Sequence, residues 1–247
     1  MGEWHVEVLL GLAAAAIGYA WAARAQRRRP SGGRILALAA GLAVFAVALN
    51  GPIHDLSDGY LFSAHMVQHL LITLVGPPLL LAALEPGMLW PLLARAGIAR
   101  AVAGLTRLPA AFTLYNVALV AWHLPGPYNA ALEHHWLHVV EHLTFIGTAL
   151  LAWWPILAPE PALPGPPYGL RMLYLFLMSL PMTAVAALVT LAESPLYPFY
   201  AAAPRVWDLS PLDDQRLGGV IMWVPATLAP LIAFTGVFFR WVAAEDE

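Results

Sequence analysis

The sequence predicts an all-α integral membrane bundle of about seven transmembrane helices. Three observations predict it: a charge-poor composition, seven apolar runs near spanning length, and arginines gathered in alternate loops. Of 247 residues, 60% are hydrophobic and only 11% charged, against roughly half and a quarter in soluble domains. So few charges cannot cover a soluble domain of this size, and the bilayer must be the solvent for much of the chain. Cysteine is absent, which excludes disulfides, thiolate metal sites and thiol redox chemistry. Lysine is absent too, so every basic side chain is an arginine, and the net charge of −3 says little about partners.

A spanning helix needs about 20 mostly apolar residues. The first run, near 5–23, has no basic stretch ahead of it and ends in Arg24-Ala-Gln-Arg27-Arg28-Arg29 where a cleavable leader would have small residues. It is read as a retained helix. The second, near 34–50, begins after the Pro30-Ser-Gly-Gly33 turn, and the third lies near 61–84. The fourth, near 109–124, is short; the fifth, sixth and seventh lie near 135–157, 170–192 and 217–242. Without a repeat, long linker or low-complexity tail, residues 1–247 read as a single transmembrane domain.

The arginines orient these helices. Odd-numbered loops carry Arg24, Arg27, Arg28, Arg29 and Arg34, then Arg95, Arg100 and Arg107, with Arg171 opening the sixth helix and Arg240 at the carboxyl end. Even-numbered loops hold only Arg205 and Arg216, beside Asp55, Asp58, Glu193, Asp208, Asp213 and Asp214. The positive-inside rule then expects the N-terminus outside and the C-terminus in the cytoplasm of a multi-pass protein of the cell membrane. Arginines placed this way are topology signals, and no nucleic-acid partner is expected.

On that topology all nine histidines fall on the outer side. His5 opens the first helix and His54 lies in the first outer loop; both read as interfacial histidines. His65 and His69 enter the third helix, His123 closes the fourth, and His134, His135, His138 and His142 begin the fifth. Ionisable residues at membrane depth are expensive and mark functional sites by default. In His65-Met-Val-Gln-His69 the i,i+4 spacing projects both imidazoles from one helical face, where they can chelate one ion. His134, His138 and His142 repeat the interval, but at about 1.5 Å rise per residue the ends of that stripe are roughly 12 Å apart, so one ion can use two neighbours. The spacing predicts a metal site of His65, His69, His138 and His142 between helices three and five, with His123 as a further ligand or an orienting group.

Soft donors lie nearby. Met66 sits inside the first pair, and Met222 follows Asp213-Asp214-Gln215 on the seventh helix. Imidazole with thioether suits copper, particularly Cu(I). Met66, Met222, His134, His135, Glu141 and Asp214 are therefore candidates for additional ligands or for groups that orient one. Met178 and Met182, on the sixth helix, are assigned to packing.

The same residues support two other readings. His138-Val-Val-Glu141-His142 matches the inverted zinc-hydrolase pattern H-x-x-E-H, with the glutamate as general base of an intramembrane metallohydrolase. The other pair lacks the glutamate of H-E-x-x-H, and Glu141 reads better as an acceptor for a ligating imidazole. Facing histidine pairs could also hold a haem. Proton transport is weaker, since nothing ionisable continues the path into the inner half of the helices. No catalytic residue is assigned.

Three segments together resemble the CtaG family of polytopic assembly factors for caa-type cytochrome c oxidase. They are Phe62-Ser-Ala-His65-Met-Val-Gln-His69-Leu-Leu with Gly76-Pro77-Pro78-Leu79-Leu80; Trp122-His123-Leu-Pro125 continuing to His138-Val-Val-Glu141-His142; and Asp214-Gln215-Arg-Leu-Gly218-Gly219-Val-Ile-Met222-Trp223. An unrelated copper chaperone that shares the CtaG name works through paired cysteines, which this chain lacks. The resemblance implies a non-enzymatic role in maturing a haem-copper oxidase. It also implies metallation of the copper centre in the catalytic subunit, which would be the partner, with an outer-side copper donor protein as a further one.

Overall fold

The computed structural model describes residues 4–27 and 29–246. Arg28, one of the orienting arginines, lies outside them. Every regular element among the described residues is helical. In chain order they are α1 (Val6–Ala25), α2 (Gly32–Ala48), α3 (Gly51–Gly59), α4 (Phe62–Leu70), a π-helical turn (Leu71–Val75) and α5 (Gly76–Ala83). Then follow α6 (Trp90–Leu93), α7 (Ala96–Leu105), α8 (Leu108–His123), α9 (Pro125–Glu133), α10 (His135–Leu157), α11 (Tyr168–Leu191), α12 (Pro198–Ala202) and α13 (Pro211–Glu245).

The all-α membrane bundle stands, and each of the seven apolar runs carries a helix. Five helices are long and apolar enough to cross a bilayer: α1, the continuous Phe62–Ala83 unit, α10, α11 and α13. A sixth span arises if α2 and α3, bent by 40° at their junction, count as one. The fourth run, α8, has 16 residues. That is about 24 Å of helix, short of a hydrocarbon core of about 30 Å. Large apolar side chains remain exposed along α11 and α13, with Leu188 at 72% and Ile232 at 71%, as expected of faces that meet lipid tails.

Two local features depart from the sequence expectation. The seventh helix starts at Pro211 because Ser210 caps it, its hydroxyl accepting from the Asp213 amide at 3.2 Å, with proline in the first turn. The third helix is interrupted by the π-turn immediately before Gly76-Pro77-Pro78. Thr73 O can receive an N–H from neither residue 77 nor residue 78, because both are proline. Trp153 of α10 donates to it instead, Nε1 to O at 3.0 Å. The backbone defect thus joins α4–α5 to α10.

α13 packs along both α11 and α4. Close approach depends on Gly218 and Gly219, where a side chain would collide with Phe62 and with Thr190. At the end remote from the histidines, Arg34 pairs with Glu85 at 3.1 Å and donates to Ala82 O and Leu84 O. Those carbonyls end α5, where a cation is favoured by the helix dipole.

Candidate metal centre

Five elements converge at one end of the bundle. α4 brings His65 and His69, α10 brings His138, Glu141 and His142, and α8 ends in His123. α3 folds down with His54 and Asp58, and α12 brings Tyr200. The helix α4 has no cap of its own, since its N-cap residue is Leu61. Asp214 of α13 supplies one: its carboxylate accepts from Phe62 N at 2.7 Å, Ser63 N at 3.1 Å and Ser63 Oγ at 2.5 Å. A buried carboxylate at a helix N-terminus satisfies orphan amides and complements the dipole. Asp214 acts on the helix that carries the histidines, one step away from their rings.

The imidazoles form a single knot. Ring centroids lie 4.1 Å apart in both His65–His69 and His138–His142, 5.4 Å apart for His65–His138 and 5.7 Å for His69–His142. Two sets of three ligand atoms lie within 4.8 Å of one another: His65, His138 and His142; and His65, His69 and Glu141. All five residues are buried.

The hydrogen bonds decide which nitrogen faces inward. Tyr200 Oη donates to Ser57 O, so it can only accept from His65 Nδ1, 2.8 Å away. Burial holds the Tyr200 phenol well above the usual tyrosine range, which keeps its proton for that bond. His138 Nδ1 lies 3.3 Å from Asp58, and His123 Nδ1 donates to Leu119 O at 2.8 Å. Each of these rings therefore turns a lone pair on Nε2 toward the interior. A ring N–H held by a carboxylate, carbonyl or hydroxyl behind it is the usual arrangement of ligating histidine.

What remains inside is unsatisfied. Nε2 of His123, His138 and His142 and both oxygens of Glu141 have no hydrogen-bond partner. The nearest approach to Glu141 is His69 Nε2 at 3.7 Å. His65 Nε2 and His69 Nε2 face each other at 2.6 Å. With the His65 proton on Nδ1, His69 Nε2–H donates to the His65 Nε2 lone pair across this gap. A buried, unbonded carboxylate costs several kcal/mol unless positive charge neutralises it. Imidazoles with one carboxylate fit a borderline transition-metal ion such as copper or zinc and do not fit calcium or magnesium, which take oxygen ligands.

The other candidate residues lie further out. His134 and His135 are exposed at the start of α10. Met66 and Met222 are buried but line a separate cavity with His69 and His123. His54 and Asp58 carry more than an interfacial role: Gln68 binds His54 Nδ1 at 3.0 Å, and Asp58 lies 3.4 Å from His54 Nε2 as well as against His138. The i,i+4 spacing of His54 and Asp58 was the available signal for this pair. None existed for Tyr200, whose bond to His65 spans 135 positions. A groove of about 390 Å³ between α1, α2 and α10 leads to His138 and His142 from the side.

The family model for cytochrome c oxidase caa3 assembly factor (Caa3_CtaG) matches residues 17–244. The chain belongs to this family. It is also similar to uncharacterised proteins of Mycobacterium bovis and Mycobacterium tuberculosis, each 27% identical over 266 aligned positions that cover 99% of the chain and 40% of the relative. One from Mycobacterium leprae is 24% identical over the same shares. The chain thus spans about two-fifths of the length of these curated relatives. No solved structure matches it.

Proposed function

We propose that the chain holds a copper ion as cargo among the imidazoles of α4 and α10, at the outer side of the cell membrane, and helps metallate the catalytic subunit of a cytochrome c oxidase. Family membership supports the assembly role. The observation that carries the metal reading is the buried Glu141 carboxylate without a hydrogen bond, grouped with the ring nitrogens of His65 and His69, in a site where Nε2 of His138 and His142 also has no partner. Such a set stays neutral only around a proton or a cation. Copper is favoured over zinc by the thioethers buried beside His69. Haem is the weaker reading, because the facing rings of α4 and α10 have centroids only 5.4 and 5.7 Å apart, too close to hold a porphyrin iron between them.

The test is made in cells. A His69→Ala/His142→Ala variant keeps its insertion, since alanine is a good helix former and raises no barrier to entering the bilayer. The oxidase catalytic subunit should then be present, carry haem and lack copper, with activity partly restored by excess copper in the medium. A fully metallated, active oxidase in that strain would remove the copper reading.

A further inference from the structure

Below the imidazole knot lies a second, separate cavity of about 10 Å³, the volume of a single water or ion. It is lined by His69, His123, Met66, Met182, Met222 and Tyr115, among others. These six come from four different elements and are all buried, Met66 and Met222 at 1% exposure and Met182 at 5%. Three of the chain's seven methionines therefore line one ion-sized space.

The polar atoms here are also unsatisfied. His69 Nδ1, His123 Nε2 and Tyr115 Oη have no hydrogen-bond partner, and a buried polar group is normally bonded. His123 Nδ1 is committed to Leu119 O, so its free Nε2 carries a lone pair. A water would answer the imidazoles and the phenol. It would leave three thioethers from α4, α11 and α13 gathered around it without a reason. Thioether with neutral imidazole is the donor set that selects Cu(I) over harder ions.

We infer that this cavity is a second station for Cu(I), held by His123 and the thioethers of Met66, Met182 and Met222, and that it shares His69 with the imidazole knot. A neutral imidazole has one lone pair. His69 offers it to the knot through Nε2 or to the cavity through Nδ1, and serves one station at a time. A change of tautomer at His69 thus couples the two sites and gives the cargo a short path between a nitrogen–carboxylate site and a sulfur-rich one. This inference rests on the copper reading above.

The experiment uses the purified full chain, titrated without oxygen with Cu(I) and followed by metal analysis and X-ray absorption. The chain should take up about two Cu(I) ions, with sulfur as well as nitrogen neighbours. Met66→Leu/Met222→Leu conserves volume and should leave the fold intact. It should cut uptake to about one ion and remove the sulfur signal. His138→Ala/His142→Ala should do the reverse, keeping the sulfur-ligated ion. Uptake of one ion with nitrogen and oxygen neighbours alone, unchanged by the methionine substitutions, would overturn the second station and leave the first site standing. No uptake of Cu(I) at all would overturn both.

Discussion

A carboxylate at 1% exposure with neither oxygen bonded persists only with a proton on it or a cation beside it. Glu141→Gln separates the possible roles because it keeps the shape and deletes the charge. In a cargo site the glutamate stabilises the ion, so the substitution should weaken Cu(I) binding by about 10–100-fold, read by competition with a chromogenic chelator. In a metallohydrolase the metal would remain while hydrolysis vanished, because only the base is lost. The i,i+4 histidine pairs were legible in the sequence because helical periodicity alone puts each on one face. The partners that choose their tautomers were not. Tyr200 reaches His65 from a five-residue helix whose position is set only by tertiary packing.

At the scale of elements, the histidine cluster depends on how α4 is held at its two ends. Asp214 satisfies the first amides of α4 from 152 positions away, too far for any local pattern to reveal. Asp214→Asn exchanges one acceptor oxygen for a donor facing backbone N–H groups, and should cost about 1–3 kcal/mol of stability. Copper affinity should fall with it, since His65 and His69 lie on the helix it anchors. A drop in melting temperature with unchanged copper affinity would show that the cap does not position the site. At the other end, Trp153→Phe strips Thr73 O of its donor and should cost about 1–3 kcal/mol. In a Pro77→Ala background residue 77 regains an N–H, and the same substitution should cost less. A double-mutant cycle of thermal stabilities measures the difference. The seven apolar runs announced the helices by length and composition. Neither the π-turn before Pro77-Pro78 nor its partner on α10 was part of that reading.

For the whole molecule, the arginine distribution expects the histidine end outside and the arginine end in the cytoplasm. The natural chain has no cysteine, so single introduced cysteines report topology without background. His135→Cys, at the exposed start of α10, should react with a membrane-impermeant maleimide added to intact cells. Gly97→Cys, on α7, should react only after permeabilisation. Equal labelling of both would contradict the orientation and with it the outer-side placement of the site. The all-α class was fully legible, because composition dictates the solvent and the solvent dictates helices. The shortness of the fourth run was legible as well, since α8 has 16 residues, but the α9 helix that follows it through Leu124 was not.

The copper reading places the ion among imidazoles of α4 and α10 with Glu141. It is tested most directly by metal analysis and an absorption spectrum of the purified protein beside His65→Ala/His142→Ala, both loaded with Cu(I) without oxygen. The natural chain should carry copper without a haem band, and the variant should lose its tightest copper. Equal copper in the two proteins, or a haem band in the natural chain, would contradict it.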